Sequence, residues 1–160
     1  MQYSELKEDL SVFKGKWAVA ELKVSYKPKK RTGIIIEESY DAYRVFKQMW
    51  DQDLINIQEQ FACLFLNNKS EVIGYRLINT GKLTSCTVDF NLIITCSLLC
   101  RARAVIFGHN HPTGNCKPSS TDKTLTFEAR NKLREFEITI LDHIILGENE
   151  YYSMQEQKII

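Results

Sequence analysis

The stretch Gly108-His109-Asn110-His111-Pro112, followed by Ser119 and Asp122, constrains this chain more than any other. It reads H-x-H, seven residues, then S-x-x-D, and three of its side chains are metal-ligand types. Residues 104–107 are a short apolar run rich in β-forming side chains, which predicts a buried strand. Side chains alternate faces along a strand, so His109 and His111, two apart at its end, point the same way. Pro112 ends the pairing, and Gly114 and Pro118 bring the chain round to Ser119. Leu125, Ala129, Leu133 and Phe136 then recur at helical spacing, which puts Asp122 in the first turn of a helix, facing back toward the histidines.

Two imidazoles and one carboxylate form a three-ligand zinc set that leaves the fourth position to water, as catalytic rather than structural sites do. Ser119 and Asp122 also fit the S-x-x-[DE] capping box that opens many helices. Capping accounts for nothing about the histidines, so His109, His111 and Asp122 are the predicted metal ligands.

At 160 residues the chain fits one domain with room for a proper core. Its 44% hydrophobic and 26% charged residues are those of a globular protein. A net charge of +1 makes no general electrostatic case for nucleic acid or membrane. No apolar stretch can span a bilayer and residues 1–10 are polar and acidic, so the expectation is no membrane, no signal peptide and a cytoplasmic location. Five cysteines, Cys63, Cys86, Cys96, Cys100 and Cys116, contain no C-x-x-C pair, which argues against a disulfide framework or a cysteine zinc site. Most are expected in the core under reducing conditions. Cys116, in the loop between the ligands, is the candidate for oxidation or stray metal binding, with a plain loop residue the stronger reading.

Residues 1–15 are polar with a weak helical pattern, and residues 17–26 alternate as an edge strand broken near Ala20. Lys27, Lys29, Lys30 and Arg31 make the one concentrated basic run, able to touch phosphate on DNA or another acidic partner. With no aromatic interleaving, a solvated turn is the stronger reading. Ser39 is the expected cap of a helix whose core face is Tyr43, Phe46, Trp50 and Leu54. Residues 61–66 are continuously apolar, as in a strand covered on both faces, and a turn at Asn67 returns the chain through residues 72–78 as a hairpin. Residues 87–100 read as a helix buried against the sheet. Residues 138–146 form a further strand, and residues 151–153 a last short one. This alternation predicts an α/β sheet with helices packed on it.

His109, His111, Ser119 and Asp122 match without a gap the zinc-peptidase signature of the JAB/MPN (JAMM) domains. The words His-Asn-His-Pro-Thr-Gly-Asn before the helix and Leu141-Asp142-His143-Ile144-Ile145 after it resemble the RadC-like branch, over about residues 35–153. The resemblance implies a mixed β-sheet flanked by helices over residues 37–160, with residues 1–36 as an N-terminal extension. It implies a zinc-dependent metallohydrolase that cleaves peptide or isopeptide amide bonds of a peptide or protein substrate.

Zinc lowers the pKa of its water from roughly 15.7 to 7, but another group must carry the proton to the leaving nitrogen. In the family a glutamate on a separate strand does so, and Glu59, just before the 61–66 strand, holds that place. Glu71 is its rival. The strands of a hairpin run opposite ways, so only one of the two can stand at the metal, and Glu59 is favoured. The resemblance gives Ser119 a hydroxyl donor's role toward the oxyanion or the water. Asp142 and His143 suggest a dyad, but neighbours on a strand face opposite ways, and a structural polar pair is the better reading. The alternative function is a non-enzymatic DNA- or protein-binding module that keeps the metal site, because RadC-like proteins carry an association with DNA repair. The zinc-deaminase pattern, H-x-E with P-C-x-x-C, is absent, and contiguous His-Asn-His does not make a ββα-metal nuclease motif. Specificity is assigned to loops such as residues 80–87, which name no substrate.

Overall fold

A computed structural model describes residues 25–27, 33–80 and 88–160. The helical pattern of residues 1–15, nearly all of the expected 17–26 strand, the basic residues Lys29, Lys30 and Arg31, and loop residues 81–87 lie outside the described residues. Five strands, β1 (Gln60–Leu66), β2 (Val72–Thr80), β3 (Ala104–Asn110), β4 (Thr139–Leu146) and β5 (Tyr151–Ser153), accompany three helices, α1 (Ser39–Met49), α2 (Phe90–Cys100) and α3 (Ser120–Arg134). The strands form one mixed sheet in the order β2-β1-β3-β4-β5. β1 and β2 are the expected antiparallel hairpin, β1 is antiparallel to β3, and β4 runs parallel to β3 after the crossover through α3. The α/β class is as expected. No helix among the described residues is long and apolar enough to cross a membrane.

Every residue of β1 and β3 is buried, because helices cover both faces of the sheet. The period of two sorts the side chains. Ala62, Leu64, Leu66 and Ile106 pack with Phe46 of α1, whereas Phe61, Cys63, Phe65, Val105 and Phe107 pack with Ile93 of α2 and Ala129 and Leu133 of α3. His109 continues the second series, so its ring is delivered to the α3 side. Gly108 faces α1, where a Cβ would stand 2.8 Å from the Phe46 ring; the missing side chain lets that ring lie flat against the central strand.

Local boundaries differ from the sequence reading in three places. Glu38, not Ser39, is the N-cap of α1, and Asp41 accepts the backbone N–H groups of Glu37 and Glu38 at 3.1 and 3.2 Å. Ser39 is the first helical residue, and its hydroxyl pairs with that of Ser153 at 3.1 Å. The helix stops at Met49, so Trp50 caps it and Leu54 falls in the turns beyond. Finally, α2 begins at Phe90 because the Asp89 carboxylate accepts Leu92 N–H at 3.0 Å. Only Ile93 and Ser97 of this helix are buried, and Leu98 is 52% exposed, since α2 has the sheet on one side and, among the described residues, no further layer over it.

Candidate metal centre

The end of β3 and the first turn of α3 bring three ligand atoms together. His109 Nε2 lies 2.9 Å from His111 Nε2. His109 Nε2 is 3.4 Å from Asp122 Oδ1, and His111 Nε2 is 3.4 Å from Asp122 Oδ2. Bonds of about 2.0–2.2 Å to a tetrahedral ion require ligand atoms about 3.3–3.5 Å apart. Each ring lies at that spacing from Asp122, though from a different one of its two oxygens, and the gap between the rings is shorter. The three residues can therefore hold a metal ion.

The protons agree with the spacing. His111 Nδ1 lies 2.6 Å from the Asn115 carbonyl, which only accepts, so Nδ1 carries a hydrogen and Nε2 is the ring nitrogen turned inward, toward His109 and Asp122. Burial lowers the pKa of His109, which is 1% exposed, despite the opposing pull of Asp122. The hydrogen bond to Asp122 raises that of His111, as the carboxylate would raise the affinity of any cation placed between them. Burial pushes Asp122 up, but His109 and His111 together hold it well below the usual carboxylate range. One carboxylate and two imidazoles facing a single point are the donor set of a borderline-soft divalent cation such as zinc.

Ser119 caps α3, and the capping box is complete. Its hydroxyl accepts Asp122 N–H at 3.1 Å and donates to Asp122 Oδ2 at 2.6 Å, while its own N–H donates to the same oxygen at 2.6 Å. Capping and ligation thus occupy the same residues: the box grips Oδ2 and leaves Oδ1 facing His109.

Glu59 reaches the centre through strand register. Phe61 pairs with His109 across the antiparallel β1 and β3, and continuing that register sets Glu59 opposite His111. Asn110, fully buried, accepts Gln60 N–H at 2.8 Å and donates to the carbonyls of Ile55 and Gln58 at 2.6 and 2.9 Å. It therefore pins the segment that carries Glu59. The Glu59 Oε2 atom is buried, and no hydrogen-bond partner for it is found among the described residues. Burial pushes this carboxyl up to about 7, with His111 pulling it down and Asp122 pushing it further up. Glu71 is at the far end of the hairpin, where its carboxylate accepts from Gly33 N–H at 3.3 Å and Asn67 Nδ2 at 3.0 Å.

Asp142 and His143 do face opposite ways. Asp142 accepts Ser153 Oγ at 2.7 Å and Gln155 N–H at 3.0 Å. His143 turns toward the centre, with Nε2 2.8 Å from His109 Nδ1 and Nδ1 2.6 Å from Thr126 Oγ1. Neither Asn110 nor Thr126 stood out in the sequence, where Asn110 was merely the variable letter of H-x-H. Cys116 is not the reactive thiol considered above. It is buried against Ile145 and Met154, and burial and Glu150 push its thiol up to about 11.

Comparison with known proteins adds family information. The profile of the RadC-like JAB domain matches residues 36–159. A UPF0758 protein of Ectopseudomonas mendocina is 39% identical over 98 residues, covering 61% of this chain and 44% of that protein. One from Pasteurella multocida is 37% identical over 103 residues, 64% of this chain and 46% of its own. One from Actinobacillus pleuropneumoniae is 34% identical over 123 residues, with 77% and 54% covered. The chain spans about half the length of these curated relatives.

Proposed function

The chain belongs to the RadC-like JAB domain family, and on that premise we propose that it is a zinc-dependent metallohydrolase cleaving peptide or isopeptide amide bonds. The observation that carries this reading is Glu59: a desolvated carboxyl with an unpartnered oxygen, electrostatically coupled to His111 and Asp122. A buried carboxyl without a partner costs stability. A binding module that kept the metal loop as architecture would have no use for it, whereas a general base works best with a pKa near the operating pH.

His109, His111 and Asp122 would hold the zinc, which when bound acidifies water and polarises the scissile carbonyl. Glu59 takes the proton of the attacking water and returns it to the leaving amide nitrogen. The Ser119 hydroxyl turns from Asp122 toward the developing oxyanion. Asp122 Oδ2 keeps the Ser119 N–H when that happens, so the ligand stays anchored.

The test uses the whole chain, zinc analysis, and two probes, a mixture of quenched fluorescent peptides and an Nε-acyl-lysine isopeptide. His111→Ala should lose the zinc and keep its fold. Glu59→Gln should keep the zinc while turnover falls by about 10²–10⁴-fold, and Glu71→Gln should behave like the parent. An active Glu59→Gln beside a dead Glu71→Gln would overturn the choice of base. A parent without zinc or hydrolysis of either probe would overturn the function.

A further inference from the structure

We propose that His143 and Thr126 are positioning residues that lock the His109 ring in the tautomer whose Nε2 lone pair faces the metal. The inference rests on the zinc reading above and adds two residues to it. The argument starts at the Asp122 backbone carbonyl, 2.6 Å from Thr126 Oγ1. A carbonyl has no hydrogen, so two oxygens at that distance need the single hydroxyl hydrogen of Thr126 between them. With its proton spent there, Thr126 Oγ1 can only accept from His143 Nδ1, 2.6 Å away. His143 Nδ1 therefore carries a ring hydrogen, and in the neutral imidazole that hydrogen is the only one. Its Nε2 is then a bare acceptor, 2.8 Å from His109 Nδ1. His109 must in turn carry its hydrogen on Nδ1, which leaves Nε2 free beside His111 and Asp122.

The chain of protons begins at the backbone of Asp122 and ends facing that residue's own carboxylate. The opposite set of tautomers would leave the Thr126 and Asp122 oxygens in contact with no hydrogen between them. His109, Thr126 and His143 are all buried, so water cannot stand in for a missing partner. The His143 ring is held edge-on by Phe61 and Phe107, with centroids 5.5 and 5.7 Å away.

The variant His143→Phe keeps an aromatic ring in that slot and deletes the acceptor. Its zinc affinity, read by chelator competition on the full chain, should fall about 10–100-fold, the usual effect of losing such an outer partner. His143→Gln, whose amide oxygen can accept from His109 Nδ1, should restore most of that loss. Thr126→Val, which removes only the hydroxyl, should weaken zinc binding in the same direction. Nitrogen-15 spectra of the metal-free parent should show His109 and His143 both protonated on Nδ1, a signature that simple packing would not set. Parent-like zinc affinity in both His143→Phe and Thr126→Val, or an Nε2-protonated His109 in the parent, would overturn the proposal. If His143→Phe does not fold, Thr126→Val and the parent spectrum decide it. A parent that takes up no zinc overturns the underlying site reading instead, so the two failures are distinguishable.

Discussion

Ser119 makes three hydrogen bonds to one residue, and they separate its two roles. Replacing it with Ala removes the cap acceptor and the hydroxyl donor but keeps the backbone N–H on Asp122 Oδ2. Stability should drop by roughly 0.5–2 kcal/mol in denaturant unfolding, with zinc content retained. An oxyanion donor would also lower kcat by about 10²–10³ well below the melting temperature; unchanged turnover would reduce Ser119 to a cap. Asp in its place would set a second carboxylate against Asp122, so Ala is the cleaner probe. Glu59 gives a prediction in pH. Its folded pKa is raised from 4.5 to about 7, so its contribution to stability is full below about pH 4.5 and is lost as pH rises through 7. In metal-free protein, Glu59→Gln should gain on the parent across that window and level off above it. The gain will be smaller than the full shift implies because the carboxyl is only half-buried and partly screened. Urea unfolding at a series of pH values measures the difference, and a flat difference would mean a solvated carboxyl. At this scale the cluster was legible because His109, His111 and Asp122 are brought together by local spacing. His143 was not, because its place beside His109 depends on which strand β4 pairs with, and that pairing is non-local.

At the level of elements, the central strand owes its position to a missing side chain. Phe46 is fully buried, so its ring has nowhere to retreat from a Cβ on Gly108. Gly108→Ala should cost about 1–3 kcal/mol of stability, the usual range for overpacking, visible as a lower Tm with zinc still bound. A variant as stable as the parent would show that α1 can slide. The strands were easy to read because apolar runs of this length admit little else. Helix ends were harder: an acid at 38 and a serine at 39 both suit a cap, and the backbone decides between them. The apolar stretch of α2 was misleading for a similar reason. Its composition announces burial, yet one side faces away from the sheet.

Over the whole molecule, the alternation of strands and helices made the α/β class plain, but not the order of the sheet. No local pattern says that β1 should lie between β2 and β3, and that neighbourhood is what carries Glu59 to the candidate metal centre and Glu71 away from it. The candidate ligands all fall within residues 109–122, from the end of β3 into the first turn of α3, whereas Glu59 comes from the neighbouring piece of chain ahead of β1. Holding a cation and using it are thus two heritable traits on two separately mutable pieces of chain. On the proposed reading, a lineage could abandon hydrolysis through one codon before β1 and go on inheriting an intact cation pocket. The histidine loop would then be a record of ancestry, and the residue at the mouth of β1 would say whether the chemistry survived.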